Sequence, residues 1–339
     1  MTKMAEEIAS IPEVVARQLD RALDLYLEQG ERLRKLEPNC VVTCARGSSD
    51  HAALYFKYIV ESTLGVPVCS MGPSIASIYD NQIRTENGAL IAVSQSGGSK
   101  DLAALCSQAA ASGLSTVALV NNTESLLARS AYEVLPVYAD SEKSVAATKS
   151  FVCSLVALAS IVAAWKEDIE LVSAIKSLPE ALERALKIDW MPQIGRLVKN
   201  KRLFVISRGP GYAIAEEAAL KFKETCAVHA EAFSSAEVRH GPIALAVSEF
   251  SALCFLSRDK AAIGIEDTAS HLHQAGAYVL KTTFSEQGDS NLRSVKAPHV
   301  LLDPICQITT FYLAIEKLSL SLGSNPDNPA LLSKVTVTV

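Results

Sequence analysis

Short runs of apolar, often β-branched residues alternate along the chain with longer segments in which apolar residues recur every three or four positions. CVVTCA (40–45), ALIAVS (89–94) and STVALV (115–120) are predicted strands. The segments that follow the first two, to about 64 and about 112, have the spacing of amphipathic helices. This alternation predicts parallel strands joined by crossover helices, that is, an α/β fold.

The second half of the chain repeats this pattern. RLFVISRGPGYAIAEEAAL (202–220) resembles VVTCARGSSDHAALYF (41–56), since each has an apolar strand, then Arg-Gly, then an alanine-rich helix. Three residue pairs share one offset of 162 positions: Arg46 and Arg208, Val66 and Val228, and Val117 and Val279. A constant offset indicates an internal duplication. The predicted fold is two tandem three-layer αβα sandwiches with parallel sheets.

The same reading predicts five segments. They are an N-terminal helix (1–34), a first sandwich (35–165), a linker helix (166–189), a second sandwich (190–325) and a C-terminal tail (326–339).

Composition and charge exclude several classes of protein. The net charge of -5 and pI near 5.8 argue against nucleic-acid binding, which favours clustered basic residues. The N-terminus lacks the charged and apolar regions of a signal peptide. The apolar segment Phe151–Trp165 is shorter than the ~18 to 20 residues that cross a bilayer. We therefore expect a cytoplasmic protein that does not bind membranes, with this segment as a buried helix.

The cysteines and histidines give no sign of a metal centre. The eight cysteines lie mostly in apolar runs without a CxxC pair, which is typical of reduced core thiols. His271 and His273 are two residues apart in a helical stretch and so point to different faces. We expect neither a metal nor an organic cofactor.

The loop SQSGGS (94–99) follows a predicted strand and precedes a predicted helix. Hydroxyl groups and backbone N–H groups at a helix N-terminus can bind an anion such as phosphate. A flexible turn with a capping serine would have the same composition. The matching loop of the second repeat, around Ser257 and Arg258, lacks the serine-glycine run, so one phosphate site is expected.

Three further residues are candidates for catalysis. Lys221 and Glu224 are three apart on a helix, as in a surface ion pair, but such a carboxylate can also transfer protons. His240 precedes Gly-Pro and is either a turn residue or a general acid. Lys334 lies in a tail in which apolar and polar residues alternate, and we expect this tail to pack on the protein. Lys334 itself is either an exposed lysine or a Schiff-base nucleophile.

These segments together resemble the sugar isomerase (SIS) domain family, and within it the isomerase half of glucosamine-6-phosphate synthase. The resemblance covers nearly the whole chain. It rests on RGSS (46–49), SQSGGS (94–99), EKSVAATKSF (142–151), the stretch from ALKFKETC to RHGPIAL (219–245) and NPALLSKVTV (328–337).

The resemblance implies a role for each candidate. The substrate's phosphate would bind Ser49, Ser94, Gln95, Ser96 and Ser99, with the backbone of Val145 near the sugar. Glu224 would transfer a proton between C1 and C2 and Lys221 would support it, while His240 would help to open the ring. Lys334 would approach the open-chain carbonyl or order the site. His240 would act in a neighbouring subunit, which implies a homodimer with a shared site.

Departures from the synthase pattern narrow the expected reaction. Gly98 and Ser99 replace a glutamate and a threonine, and Ala147 replaces a hydroxyl residue. The chain begins MTKMAEE, with no glutaminase segment that would supply ammonia. We therefore expect a glucosamine-6-phosphate deaminase that releases ammonia and fructose 6-phosphate. The alternatives are an enzyme for galactosamine 6-phosphate or fructosamine 6-phosphate, and a non-catalytic sugar-phosphate sensor.

Overall fold

A computed structural model describes residues 1–200, 202–246, 249–285 and 291–334. The contacts divide the chain into two compact units. Among the described residues, the N-terminal unit consists of Glu13–Glu142, Lys149–Lys176 and 333–334, and the C-terminal unit consists of Met1–Pro12, Lys143–Thr148 and Ser177–Leu332. Because both units combine distant segments, the linear domain boundaries inferred above stay a prediction.

Each unit contains one parallel sheet. The strands are β1 (Cys40–Cys44), β2 (Val68–Ser70), β3 (Gly88–Ser94), β4 (Ser115–Val120) and β5 (Glu133–Pro136), then β6 (Arg202–Ser207), β7 (Ala230–Ser234), β8 (Phe250–Cys254), β9 (Tyr278–Thr283) and β10 (Leu292–Arg293). Within the described residues the strand orders are β2-β1-β3-β4-β5 and β10-β9-β8-β6-β7, and every pairing is parallel. Both orders follow one topology, which confirms the predicted duplication.

The helices surround the two sheets. They are α1 (Lys3–Ala9), α2 (Ile11–Leu36), α3 (Ser48–Leu64), α4 (Ser74–Ser77), α5 (Lys100–Ala111), α6 (Lys149–Lys166), α7 (Ile169–Lys176), α8 (Leu178–Ala185), α9 (Met191–Leu197), α10 (Pro210–Cys226), α11 (Ser235–Val238), α12 (Ala262–Gln274) and α13 (Asp303–Ser321). The bounds of α3 and α10 are 162 residues apart at both ends.

Two predicted helices are each divided in the structure. The N-terminal helix is α1 and α2, which meet at Ser10, and the linker helix is α7 and α8, which meet at Ser177. Pro12 and Pro179 lie in the first turn of the second helix of each pair. Proline is tolerated there because the first-turn N–H groups have no partner within the helix.

Each unit has three layers, with helices on both faces of its sheet. Both faces are covered because alternate residues of each strand point to opposite sides of the sheet. In the N-terminal unit Val42 and Leu90 pack against Leu105 of α5, while α3 contacts β1, β2 and β3 and α6 packs on α3. In the C-terminal unit Phe204 and Cys254 pack against α12, and α10 and α13 cover the other face.

Helix α6 is the most apolar helix of the described residues. Its 18 residues are long and apolar enough to cross a bilayer, and the predicted 15-residue length was an underestimate. However, 89% of this window is buried inside the protein. At Gly30 of α2, an added Cβ would stand 2.3 Å from the Ile161 carbonyl oxygen of α6, so the two helices cross closely. This burial confirms the prediction of a core helix.

The cysteine thiols are free, and six of the eight are buried, as predicted. Burial raises the pKa of Cys254 and Cys306 to about 12 and that of Cys106 and Cys226 to about 11. In the unfolded chain the pKa of these thiols is ~8.5. The stability that they contribute is thus complete below about pH 8.5 and is lost as the pH rises toward the folded values.

We therefore expect the free energy of unfolding to be constant from pH 7 to 8 and to fall above pH 9. The fall is about 1.4 kcal/mol per pH unit for each buried thiol. Urea unfolding in the presence of a reductant, at half-unit steps to pH 10.5, measures it. Cys254→Ala should reduce the slope by the contribution of one thiol, whereas Cys69→Ser, at an exposed position, should not. Equal slopes in all three proteins would contradict this account.

Candidate active site

The sheet order of the N-terminal unit predicts where a ligand binds. From β1 the chain passes to β2 on one side and then returns to β3 on the other side. The loops after β1 and β3 therefore lead to helices on opposite faces and leave a crevice at the carboxyl ends of the strands. Ser49 lies in the first turn of α3, directly after the first of these loops. The serine loop, Ser94–Ser99, runs from the last residue of β3 to the N-cap of α5. Arg46 Nη2 of the first loop lies 2.9 Å from Asp101 Oδ2, just beyond the second, so the two loops lie side by side.

The serine loop is shaped by its own side chains. Ser94 Oγ accepts a hydrogen bond from Gly97 N (3.0 Å), and Ser96 Oγ accepts one from Gly98 N (3.3 Å). Gly97 has φ +63°, and a Cβ on it would lie 2.0 Å from Ser125 Oγ, so a larger residue there is strained and must displace Ser125. Ser99 is the N-cap residue of α5, but its side chain makes no capping bond. A helix N-terminus can bind an anion through its free N–H groups, so the phosphate site stays a prediction at this position.

The equivalent crevice of the C-terminal unit is nearly closed. Between the ends of β6 and β8 the cavity measures about 10 Å³, room for about one water. Arg258 donates from Nε and Nη2 to the Asp303 carboxylate at 2.6 and 2.7 Å, and from Nη2 to the Ala297 carbonyl oxygen. The loop that replaces the serine-glycine run is thus tied to α13.

Glu224 is held by a buried lysine in the C-terminal unit. Lys221 Nζ lies 2.5 Å from Glu224 Oε2 and 3.2 Å from Glu217 Oε1. Lys221 and Glu217 are fully buried, whereas the Glu224 side chain is 22% exposed. Tyr312 donates a hydrogen bond to Glu217 Oε1 at 2.9 Å. The surface ion pair considered above is therefore a buried network with one carboxylate that reaches solvent.

The charge of Lys221 is maintained by its two neighbours. Burial lowers the pKa of Lys221, but the carboxylates of Glu217 and Glu224 outweigh burial and raise it to about 12. The ammonium group therefore holds the Glu224 carboxylate in one place at all physiological pH values. Glu217 lies four residues before Lys221, and this spacing is a signal that the sequence reading missed.

Glu224 lines a cavity of about 710 Å³. The wall is formed by the end of α10, with Leu220 and Thr225, and by the segment Gly323–Leu332 that follows α13. Ligand cavities for small molecules commonly measure ~300 to 1,000 Å³. The cavity is large enough for a sugar phosphate.

The loop of Val145 and the chain near Asp327 are joined within the C-terminal unit. Val145 N donates to the Asp327 carbonyl oxygen at 3.1 Å, so only the carbonyl group of Val145 is left to contact a ligand. The Asp327 carboxylate accepts from Lys3 N and Met4 N at the start of α1. Glu7 of α1 accepts hydrogen bonds from the backbone and hydroxyl of Ser144. Glu7 and Asp327 thus position the loop, and no local motif marks either residue.

His240 lies apart from Glu224. It is exposed in a turn after α11, and its N–H donates to the Glu237 carbonyl oxygen at 3.0 Å. It lines a second cavity, with Arg208 and Arg239. Glu224 and His240 of one chain therefore face different cavities. The homodimer in which His240 serves a neighbouring subunit stays a prediction.

Lys334 is anchored within the N-terminal unit. Its Nζ lies 3.0 Å from Glu142 Oε2, and the Glu142 side chain is fully buried. The same carboxylate accepts hydrogen bonds from Ser150 N and Ser150 Oγ at the start of α6. Residues 335–339 of the predicted packed tail lie outside the described residues.

Comparison with known proteins identifies the family. A model of the SIS domain matches residues 37–164 and 196–277. The chain belongs to the SIS domain family. It is 32% identical to the glutamine–fructose-6-phosphate aminotransferase [isomerizing] of Pyrococcus horikoshii over 313 residues, 88% of this chain and 52% of that protein. The chain thus spans about half the length of the curated relatives it matches.

Two solved structures extend the comparison. A candidate phosphosugar isomerase from Silicibacter pomeroyi has a TM-score of 0.90 and 40% identity, with 96% of this chain and 100% of that chain covered. The glucosamine-6-phosphate deaminase of Thermotoga maritima has a TM-score of 0.81 and 21% identity, with 99% and 100% covered. The second likeness shows the shared fold of two SIS sandwiches.

Proposed function

We propose that this SIS protein isomerises glucosamine 6-phosphate between its aldose and ketose forms and releases the amino group as ammonia. The supporting observation is the Glu224 carboxylate, which a buried lysine fixes at the wall of a cavity of suitable size. The relatives agree with this chemistry, since the Pyrococcus protein is named as an isomerising aminotransferase of a sugar phosphate. The Thermotoga protein of the same fold is named as a deaminase.

Phosphate binding is assigned to the serine loop. Ser96 and Ser99 offer neutral hydroxyl donors, and the N-terminus of α5 adds the favourable end of its dipole. Ser49, Ser94 and Gln95 complete the proposed set. Once the phosphate is bound, the sugar carbons are held in one position. The proton is then transferred within a single enzyme–substrate complex.

Proton transfer is assigned to Glu224. In the open-chain sugar Glu224 removes the C2 proton while O1 takes up a proton from solvent, which leaves an enolamine. Glu224 then returns its proton to C1 while the amino nitrogen releases one proton to solvent. C1 becomes CH2OH and C2 becomes an imine. Water adds to the imine carbon, the C–N bond breaks, and fructose 6-phosphate and ammonia are formed. His240 is assigned to ring opening, and Lys334, with its ion pair to Glu142, to ordering the site.

The decisive experiment measures ammonia and fructose 6-phosphate from the purified protein and glucosamine 6-phosphate. Each product is coupled to a dehydrogenase, and C2 proton exchange is followed by NMR in D2O. Parallel reactions contain galactosamine 6-phosphate and fructosamine 6-phosphate. Equal release of both products from glucosamine 6-phosphate supports the proposal. Release from another sugar only would change the substrate, and the absence of exchange with all three would favour the sensor.

We expect Gly97→Ala to weaken substrate binding while the protein stays folded. Alanine at φ +63° costs about 1 to 2 kcal/mol, and its methyl group would displace Ser125. The variant loop relieves this strain by leaving the conformation that binds the phosphate, and the substrate must restore that conformation. The KM for glucosamine 6-phosphate should therefore rise about tenfold, since 1.4 kcal/mol corresponds to a factor of ten.

Gly98→Ala is the matched control. Its φ is not in the left-handed region, and an added Cβ meets only Ser96 Oγ at 3.7 Å. Its KM should stay within twofold of wild type. If Gly97→Ala also leaves KM unchanged, the serine loop does not bind the phosphate.

A further inference from the structure

The C-terminal unit has a basic cavity of which the proposed reaction uses one lining residue, His240. It measures about 440 Å³ and lies where β6 and β7 end and α12 begins. Its lining consists of Arg208, Ser235, Ala236, Arg239, His240, Gly264 and Thr268. Two guanidinium groups and an imidazole are present, and none of these lining residues is a carboxylate. The electrostatic potential of such a cavity favours an anion.

Two polar groups converge on one point of this cavity. A Cβ added to Gly264 would stand 2.9 Å from Arg208 Nη1 and 3.7 Å from Ser235 Oγ. Because position 264 has no side chain, the guanidinium and the hydroxyl face the same open space. Ser235 is 1% exposed, and its Oγ has no hydrogen-bond partner in the described part of the chain. A buried hydroxyl without a partner is costly, and a bound oxyanion would satisfy it.

Comparison of the two repeats shows that the second lacks an acidic partner for its arginine. In the first copy Arg46 is paired with Asp101 at 2.9 Å. The residues 162 positions later are Arg208 and Ile263, so the second copy keeps the arginine and lacks the acid. The Ile263 side chain is 72% exposed. Within residues 1–200, 202–246, 249–285 and 291–334, neither Arg208 nor Arg239 pairs with a carboxylate.

We propose that this cavity binds the phosphate group of a small phosphorylated molecule, as a second anion site separate from the serine loop. Arg208 and Arg239 would donate to the phosphate oxygens, as guanidinium groups do in pairs of parallel hydrogen bonds, and Ser235 would donate from its hydroxyl. The volume leaves room for an organic group beyond the phosphate. The inference does not depend on the proposed reaction, which gives no role to Arg208, Ser235 or Arg239.

The test measures binding of inorganic phosphate by isothermal titration calorimetry at low ionic strength. Four full-length proteins are compared: wild type, Arg208→Gln/Arg239→Gln, the serine-loop variant Ser96→Ala/Ser99→Ala, and Arg196→Gln/Arg202→Gln. The last changes the net charge by the same amount at two exposed arginines of the same unit outside the cavity. Gly264→Ala is a fourth variant, since its methyl group fills the point where Arg208 and Ser235 converge.

We expect the serine-loop variant and the Arg196/Arg202 control to retain phosphate binding at the basic cavity. Arg208→Gln/Arg239→Gln should weaken that binding at least tenfold, and Gly264→Ala should also weaken it. Phosphate should protect Arg208 and Arg239 from modification by phenylglyoxal, measured by mass spectrometry, but not Arg196.

Each contrary outcome has a separate meaning. If the Arg208/Arg239 variant binds phosphate as its control does, or if the serine-loop variant loses all binding, the second site does not exist. If the arginine variant instead weakens self-association in sedimentation experiments with phosphate binding unchanged, these arginines serve an interface and the proposal is overturned. If the serine-loop variant binds phosphate with the same stoichiometry as wild type, and Arg208→Gln/Arg239→Gln loses binding while its control does not, the proposed phosphate loop is wrong and the second site stands.

Discussion

Glu224→Gln is expected to lower kcat for ammonia release by about 10² to 10⁴, the range of general acid–base catalysis. Glutamine has the same shape as glutamate, and its side-chain oxygen can still accept a hydrogen bond from Lys221 Nζ, which lies 2.5 Å from Glu224 Oε2. The substrate should therefore bind with nearly unchanged affinity. Since the amide cannot remove a proton, exchange of the C2 proton with solvent should stop. Steady-state kinetics and NMR in D2O measure both effects.

The matched control is Glu266→Gln, which removes the same charge from the exposed surface of α12. It should leave kcat unchanged. Should Glu224→Gln exchange the C2 proton at the wild-type rate, another base carries the reaction.

Lys221→Met is expected to lower the free energy of unfolding by about 3 to 5 kcal/mol, the cost of removing one partner of a buried ion pair. The physical reason is Glu217, whose fully buried carboxylate would keep its bond from Tyr312 but lose its counter-charge. Because the pKa of Lys221 is about 12, the lysine is charged at every pH below its unfolded value of ~10.4. The contribution of this ammonium group is present below that pH and is lost as the pH rises through the folded value. The destabilisation, measured by urea unfolding, should thus be similar at pH 6 and pH 8.

A double variant distinguishes charge from packing. Glu217→Gln/Lys221→Met removes both buried charges, and replacement of whole buried pairs is often neutral. It should recover most of the lost stability. Lys223→Met is the surface control on the same helix, with an expected change within ~0.5 kcal/mol. If Lys221→Met proves as mild as Lys223→Met, the buried network does not stabilise the fold.

Much of the fold could be predicted because strands and helices have different periods. The runs at 40–45, 89–94 and 115–120 correspond to β1, β3 and β4 within a residue or two. The offset of 162 predicted the second set of strands. The breaks at Ser10 and Ser177 were missed because the apolar pattern continues through both, so that only the prolines beyond them mark the new helices.

The candidate site was predictable only in part. The serine loop and Glu224 stand out as local motifs; the structure places the loop before the N-terminus of α5 and Glu224 at the wall of a cavity. The buried state of Lys221 was not predictable, since a lysine three residues from a glutamate is usually at the surface. Glu7 and Asp327 were missed because their partners are more than 100 residues away.

What the sequence determined by itself is the order of the elements, the duplication and the identity of the chemical groups, because these depend on spacing along the chain. The tertiary structure alone decided which groups are buried and which share a cavity. It left Glu224 at a cavity wall with a buried counter-ion, closed the second crevice with Arg258, and opened the basic cavity beside Gly264. Burial and pairing depend on contacts between residues far apart in sequence, and these contacts set the energy of every charge.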